Sequence, residues 1–197
     1  MMEKFNIIAE QENSTVMAHY DALPREENGY QSEAALENSF IRQLTEQGYE
    51  RVDITSEQDL ILNLRRQMER LNGLTLSDSE WKRLFGQHIA SPQMTIEDKT
   101  DRVQRTEIVN ITLDNGHSQN IKLIDKRDIH NNHLQVLNQY VPEGGAHENR
   151  YDVTILVNGL PLVHCELKRR GVPLREAFNQ INRYERDSFW AGCGLYD

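Results

Sequence analysis

The apolar positions of this chain change period once, from a helical spacing to strict alternation. From residue 32 onward, apolar side chains recur three and four apart, the pattern of a helix with one buried face. Leu36, Phe40, Ile41 and Leu44 make the first stripe. Ser32 stands where an N-cap belongs, Glu33 suits the positive end of the dipole, and Gly48 ends the run. A second helix is predicted over residues 56–72, with Leu60, Leu62, Leu64, Met68 and Leu71 apolar and Asn72-Gly73 as its stop. A third begins after Ser77 or Asp78 and carries Trp81, Leu84 and Phe85. The stretch ASPQMTIEDKTDR, residues 90–102, reads as a loop.

From residue 106 the period is two. TEIVNITLDNGHSQNIKLID predicts a hairpin about Asn115-Gly116, and HLQVLNQYV a further strand. PEGGAHEN is a polar, Gly-rich loop, expected to be mobile. YDVTILVNGLPLVHCELKRRG, residues 151–171, predicts a second hairpin about Asn158-Gly159. VPLREAFNQINRYERDSFW then returns to a helical period, with Pro173 near the first turn. Residues 1–30 show no sustained period and are expected to form an extended arm with a turn near Pro24. Helices, a mostly antiparallel sheet and a closing helix make a mixed α/β (α+β) fold, with residues 31–197 as its domain.

Composition adds limits. Of 197 residues, 38% are hydrophobic and 27% charged, as in a globular protein with a polar surface. No apolar run approaches the roughly 20 residues that cross a bilayer, and MMEKFNIIAEQENS lacks the layout of a secretory signal. The only cysteines, Cys165 and Cys193, form no C-x-x-C pair. A cytoplasmic location, reduced thiols, no zinc site and no membrane partner are expected. The net charge of -9 disfavours unaided binding to nucleic acid. The distribution is uneven, however: residues 168–186 hold six basic side chains against two acidic ones.

The second hairpin carries Asp152 on one strand and Glu166 and Lys168 on the other. Side chains alternate faces along a strand, so Glu166, Lys168 and His164 share a face. With a two-residue turn, Asp152 would stand opposite Cys165 on the wrong face. A three-residue loop, Val157-Asn158-Gly159, is therefore expected, with Gly159 in the left-handed region and Asp152 facing His164, one diagonal step from Glu166. Two converging carboxylates repel unless a hard divalent cation such as Mg²⁺ lies between them. A neighbouring lysine can orient or deprotonate a water and stabilise charge on a phosphate. The triplet Glu-x-Lys is weak by itself, since Glu80-Trp81-Lys82 and Glu97-Asp98-Lys99 repeat it. The first is placed in a helix, the second in a loop, and both are read as solvated surface. His164 is open between a metal ligand and a polar neighbour. Arg169 and Arg170 are open between phosphate contacts and a charged strand end.

Asp152, thirteen intervening residues and then Glu166-Leu167-Lys168 resemble the PD-(D/E)XK nuclease motif. Gln180 and Tyr184 add the Q-x-x-x-Y signature of its RecB-like branch. NRYDVTILVNGLPLVHCELKRRGVPLREAFNQINRY is similar to the N-terminal nuclease domain of type I restriction endonuclease R subunits, and SEAALENSFIRQLTEQGYE resembles the helix that opens it. One departure is that no proline precedes Asp152. The resemblance implies a restriction-endonuclease-like mixed sheet flanked by helices. It implies Asp152 and Glu166 as Mg²⁺ ligands assisted by the Leu167 carbonyl, and Lys168 as catalytic. Gln180, Tyr184, Arg169 and Arg170 would support the site or position the DNA backbone. The family often adds an acid from the opening helix; Glu37 is the choice and Glu33 the alternative. Implied partners are double-stranded DNA and the methyltransferase and specificity subunits of a type I restriction-modification complex. ATP belongs to motor domains, and this chain has no GxxxxGK[ST] loop, so a C-terminally truncated endonuclease domain is expected. A non-catalytic docking module and a related resolvase or repair nuclease stay open beside it.

Overall fold

The first four α-helices of this protein start beside side-chain oxygens that accept from the first free N–H groups. The structure, a computed structural model, describes residues 5–10, 16–20, 32–140, 151–169 and 171–187. Helix α1 spans Glu33–Glu46, and its cap Ser32 accepts from the Ala35 amide at 3.2 Å. Helix α2, Glu57–Asn72, is capped by Ser56 and closed by Gly73 at φ 62°. Helix α3, Asp78–Leu84, opens on a reciprocal box in which Ser77 and Glu80 cap each other's amides. It runs on into a single π-turn, Phe85–Ile89.

Two expectations are corrected here. Residues 90–102 are not all loop: α4 spans Ile96–Gln104. Thr95 and Asp98 form a capping box there, and the pair T-x-x-D was legible as a helix start. Leu62 does not join the buried stripe of α2; it is 50% exposed, whereas Leu60, Leu64 and Met68 are buried. Positions four apart share a helix face and a position two away does not.

The central sheet has the order β3-β6-β7-β8, with β3 (Glu50–Arg51) parallel to β6 (Leu134–Tyr140). Strands β7 (Tyr151–Val157) and β8 (Leu160–Cys165) continue it antiparallel. Ile41 and Leu44 of α1 pack on one face, against Val136 and Val153, with Cys165 and Leu167 at the margin. Leu60 of α2 packs on Leu137 and Leu156. Leu64 and Met68 of α2 also reach a second sheet, the hairpin of β4 (Ile108–Thr112) and β5 (Ser118–Lys122), through Val109, Ile111, Ile121 and Leu123. Helix α2 thus separates two cores. Helix α5, Leu174–Asp187, follows β8. The predicted mixed α/β class is what the structure shows, with five α-helices among the described residues.

Residues 1–30 form a unit of their own. Within it β1 (Phe5–Glu10) pairs antiparallel with β2 (Val16–Tyr20), a hairpin where an extended arm was expected. The expected turn at Pro24 and the loop at 142–149 lie outside the described residues. No described helix is long and apolar enough to cross a membrane.

The β7–β8 connection also departs from expectation. Val157 pairs with Leu160 across a two-residue turn, Asn158 at φ 52° and Gly159 at φ 82°. Both central residues are left-handed, as a turn that matches strand twist requires. The Asn158 amide donates to the His133 carbonyl at 2.8 Å, and a Cβ on Gly159 would lie 2.6 Å from the Leu64 Cα. The turn is thus seated against α2. This predicts that Gly159→Ala loses about 3 kcal/mol or more, since left-handed strain adds to backbone overlap. Gly116→Ala, at φ 82° with nothing within 4 Å, should lose only about 1–2 kcal/mol. Urea unfolding of both variants checks this; equal losses would contradict it.

Candidate active site

The site is made by register. Leu156 pairs with Pro161, but Ile155 pairs with Val163, so Leu162 is an extra residue on β8. Beyond this bulge Thr154 faces His164 and Val153 faces Cys165. Continued by one pair, Asp152 stands opposite Glu166. The expected facing of Asp152 with His164 is therefore corrected, because a bulge and not a longer loop supplies the shift. The even parity that unites the charges nevertheless holds.

Contacts agree with this register. The Leu167 amide donates to Asp152 Oδ2 at 2.9 Å, and Lys168 Nζ donates to Glu166 Oε1 at 2.5 Å. The side chains of Glu166 and Lys168 are only 3% and 15% exposed. A buried carboxylate without a partner would be costly, and the ammonium offsets this. Burial pushes the Glu166 carboxyl above its ordinary range, and the charge of Asp152 pushes the same way against the hydrogen bond from Lys168. Burial pulls Lys168 down, yet its bond to Glu166 and the charges of Glu166, Glu33 and Asp152 carry it above the ordinary lysine value. Lys168 therefore holds its proton at neutral pH.

The first helix contributes two acids in different ways. Glu37 is buried and accepts from Asn138 Nδ2 at 2.6 Å and Gln139 Nε2 at 3.2 Å. Gln139, at φ 57°, lies on β6 between the partners of Val153 and Tyr151, alongside Asp152. Glu33 acts on Lys168 by its charge. Among the described residues no third His, Cys, Asp or Glu completes a metal-sized cluster with Asp152 and Glu166. Gln180 is half-buried on α5, and Tyr184 lies four residues further along the same helix. Arg169 is exposed at the strand end, and Arg170 lies outside the described residues.

Neighbouring groups have plainer roles. His164 Nδ1 lies 3.0 Å from Thr154 Oγ1, and its ring stacks on Tyr151 at 4.4 Å. Burial pushes its pKa down to about 4, so it is a neutral neighbour of the carboxylates. Burial also raises the Cys165 thiol, which is the opposite of an activated nucleophile. The other two Glu-x-Lys triplets are not both solvated surface. Glu80 is buried and accepts from the Ser77 and Asp114 amides, and Glu97-Asp98-Lys99 lies in α4. Sequence reasoning missed the Leu162 bulge; its signal was Pro161, which cannot donate to a ladder.

The donor set suits a hard cation. Two carboxylates in register, one raised in pKa by burial and further by the charge of the other, match Mg²⁺, which takes one or two carboxylates and keeps several waters.

Known proteins resemble the chain as a whole. A family model described as "Type I restriction enzyme R protein N terminus (HSDR_N)" matches residues 30–196. The type I restriction enzyme EcoprrI endonuclease subunit of Escherichia coli is 40% identical over 190 residues, covering 96% of this chain and 60% of that one. The SsaAORF53P endonuclease subunit of Staphylococcus saprophyticus is 39% identical over 169 residues, covering 81% of this chain and 17% of its own. A putative MjaVIIIP endonuclease subunit of Methanocaldococcus jannaschii is 37% identical over 85 residues. The chain thus spans three-fifths of one of these relatives and less than a fifth of the others.

The depressed His164 predicts an acid dependence. The unfolded chain binds a proton near pH 6.5 and the folded one only near pH 4, so stability falls as pH drops through that window, by up to about 3 kcal/mol. Urea midpoints between pH 7 and 4 should fall less for His164→Gln than for the natural protein. Parallel curves would contradict this.

Proposed function

Since the chain belongs to the family of type I restriction enzyme R protein N termini, we propose that it is a PD-(D/E)XK endonuclease domain that hydrolyses DNA phosphodiester bonds. One observation carries the reading: Leu167 N–H and Lys168 Nζ tie Asp152 and Glu166 into one charged cluster across two strands. Asp152 and Glu166 would hold Mg²⁺, with the Leu167 carbonyl beside them. Glu37 would join as a further ligand only by releasing Asn138 and Gln139. Bound there, Mg²⁺ supplies a Lewis acid for the phosphate and a water of lowered pKa.

The chain's own residues do the rest. Lys168 keeps its proton, so it orients the attacking water and stabilises charge on the phosphate more readily than it acts as a base. Glu166 holds that ammonium in place. Gln180 and Tyr184 on α5, with Arg169 and Arg170, position the DNA backbone. Contacts to phosphate fix register without reading sequence, so recognition falls to specificity and methyltransferase subunits of a cytoplasmic restriction-modification complex. ATP is used by motor parts outside this domain. The net charge of -9 fits a domain to which DNA is delivered rather than one that captures it alone.

Asp152→Ala and Lys168→Ala, placed in the full-length subunit and assembled with its partners, test the proposal. Lys168→Ala should slow DNA cleavage by about 10²–10⁴-fold, and Asp152→Ala should abolish it, while ATP hydrolysis and assembly persist. Undiminished cleavage would instead favour a docking module that retains the fold.

A further inference from the structure

We infer that the bulge that leaves Leu162 out of the ladder, and the anchored Asn158 that confines the shift to it, position the carboxylate pair; the inference rests on the site proposed above. The two-residue turn opposes Val157 to Leu160 and Leu156 to Pro161. Continued unbroken, that register would set Asp152 opposite Cys165, whose face packs toward Ile41 and Leu44 of α1. Glu166 and Lys168 would then point away from Asp152. A shift of one residue moves every later side chain to the other face, so leaving Leu162 unpaired unites the cluster.

A residue could be left unpaired by a longer turn or by a bulge. The turn is fixed. Asn158 is 1% exposed, its Oδ1 accepts from the His133 amide at 2.8 Å, and its Nδ2 donates to the Leu123 carbonyl at 3.1 Å and to Asn132 Oδ1 at 2.7 Å. Gly159 has the Leu64 backbone against it. The shift therefore falls in β8, the outer strand of the four-stranded sheet among the described residues. Pro161 has no N–H to lose there, and an outer strand tolerates a bulge. Leu162 and Val163 are 39% and 44% exposed, so packing does not account for the extra residue. The bond between Thr154 and His164 closes the shifted register two pairs before Asp152.

Disulfide trapping reads the register without metal. In a Cys193→Ser background, D152C should cross-link with E166C when Cys165 is replaced by serine. D152C alone should not cross-link with the native Cys165. Deleting Leu162 would close the bulge with Asp152 still opposite Glu166, so it should leave this pattern unchanged; inserting one alanine after Leu162 should reverse it. In the otherwise natural chain the insertion should also weaken Mn²⁺ binding by calorimetry by about tenfold or more. Asn158→Gly keeps the left-handed backbone and loses the anchor, and should give both cross-links. A cross-link from D152C to Cys165 at natural length, a reversed pattern in the deletion, or an unchanged pattern in the insertion and Asn158→Gly variants would overturn the inference. The proposed site fails separately if the natural chain binds Mn²⁺ no better than Asp152→Ala.

Discussion

Two carboxylates on adjacent strands can share a ligand only if both stand on one face of the sheet, and parity decides whether they do. In this protein parity is set several residues away from the charges. A tight turn locked to α2 gives the wrong count, and one bulged residue corrects it. The surrounding packing keeps the correction from relaxing. Val153 and Cys165 lie against α1 on one face, and Leu156 lies against α2 on the other, so a slip would expose apolar side chains on both.

The charged cluster is not there for stability. Desolvating Glu166 is costly, as its raised pKa records, and the ion pair with Lys168 only offsets this. Apolar residues of similar volume would serve a sheet at least as well. Glu37 shows the contrasting case: its buried carboxylate is satisfied by two amides of β6, as a structural acid would be. Asp152 and Glu166 face each other, and it is that mutual repulsion which a cation would relieve.

Much of the fold was legible because helix caps and turn residues act locally. Ser32, Ser56, Ser77, Gly73 and both Asn-Gly pairs do what their types suggest. Helix α4 was hidden by its weak apolar stripe, although Thr95 and Asp98 marked its start. The N-terminal hairpin was hidden because its strands lack clean alternation. The site was legible through the spacing of Asp152, Glu166 and Lys168 and the family pattern around it. The route by which they meet was not, since Asn158 is fixed by Leu123, Asn132 and His133, partners distant in sequence. Nor does a triplet reveal burial: Glu80 reads like Glu166, and only tertiary contacts separate a helix cap from a candidate ligand.

The most direct test of the account is anomalous diffraction from a crystal of this chain soaked in Mn²⁺. A peak in contact with carboxylate oxygens of both Asp152 and Glu166 is the predicted result. A fully soaked crystal with no such peak, or with the ion held elsewhere, would contradict it.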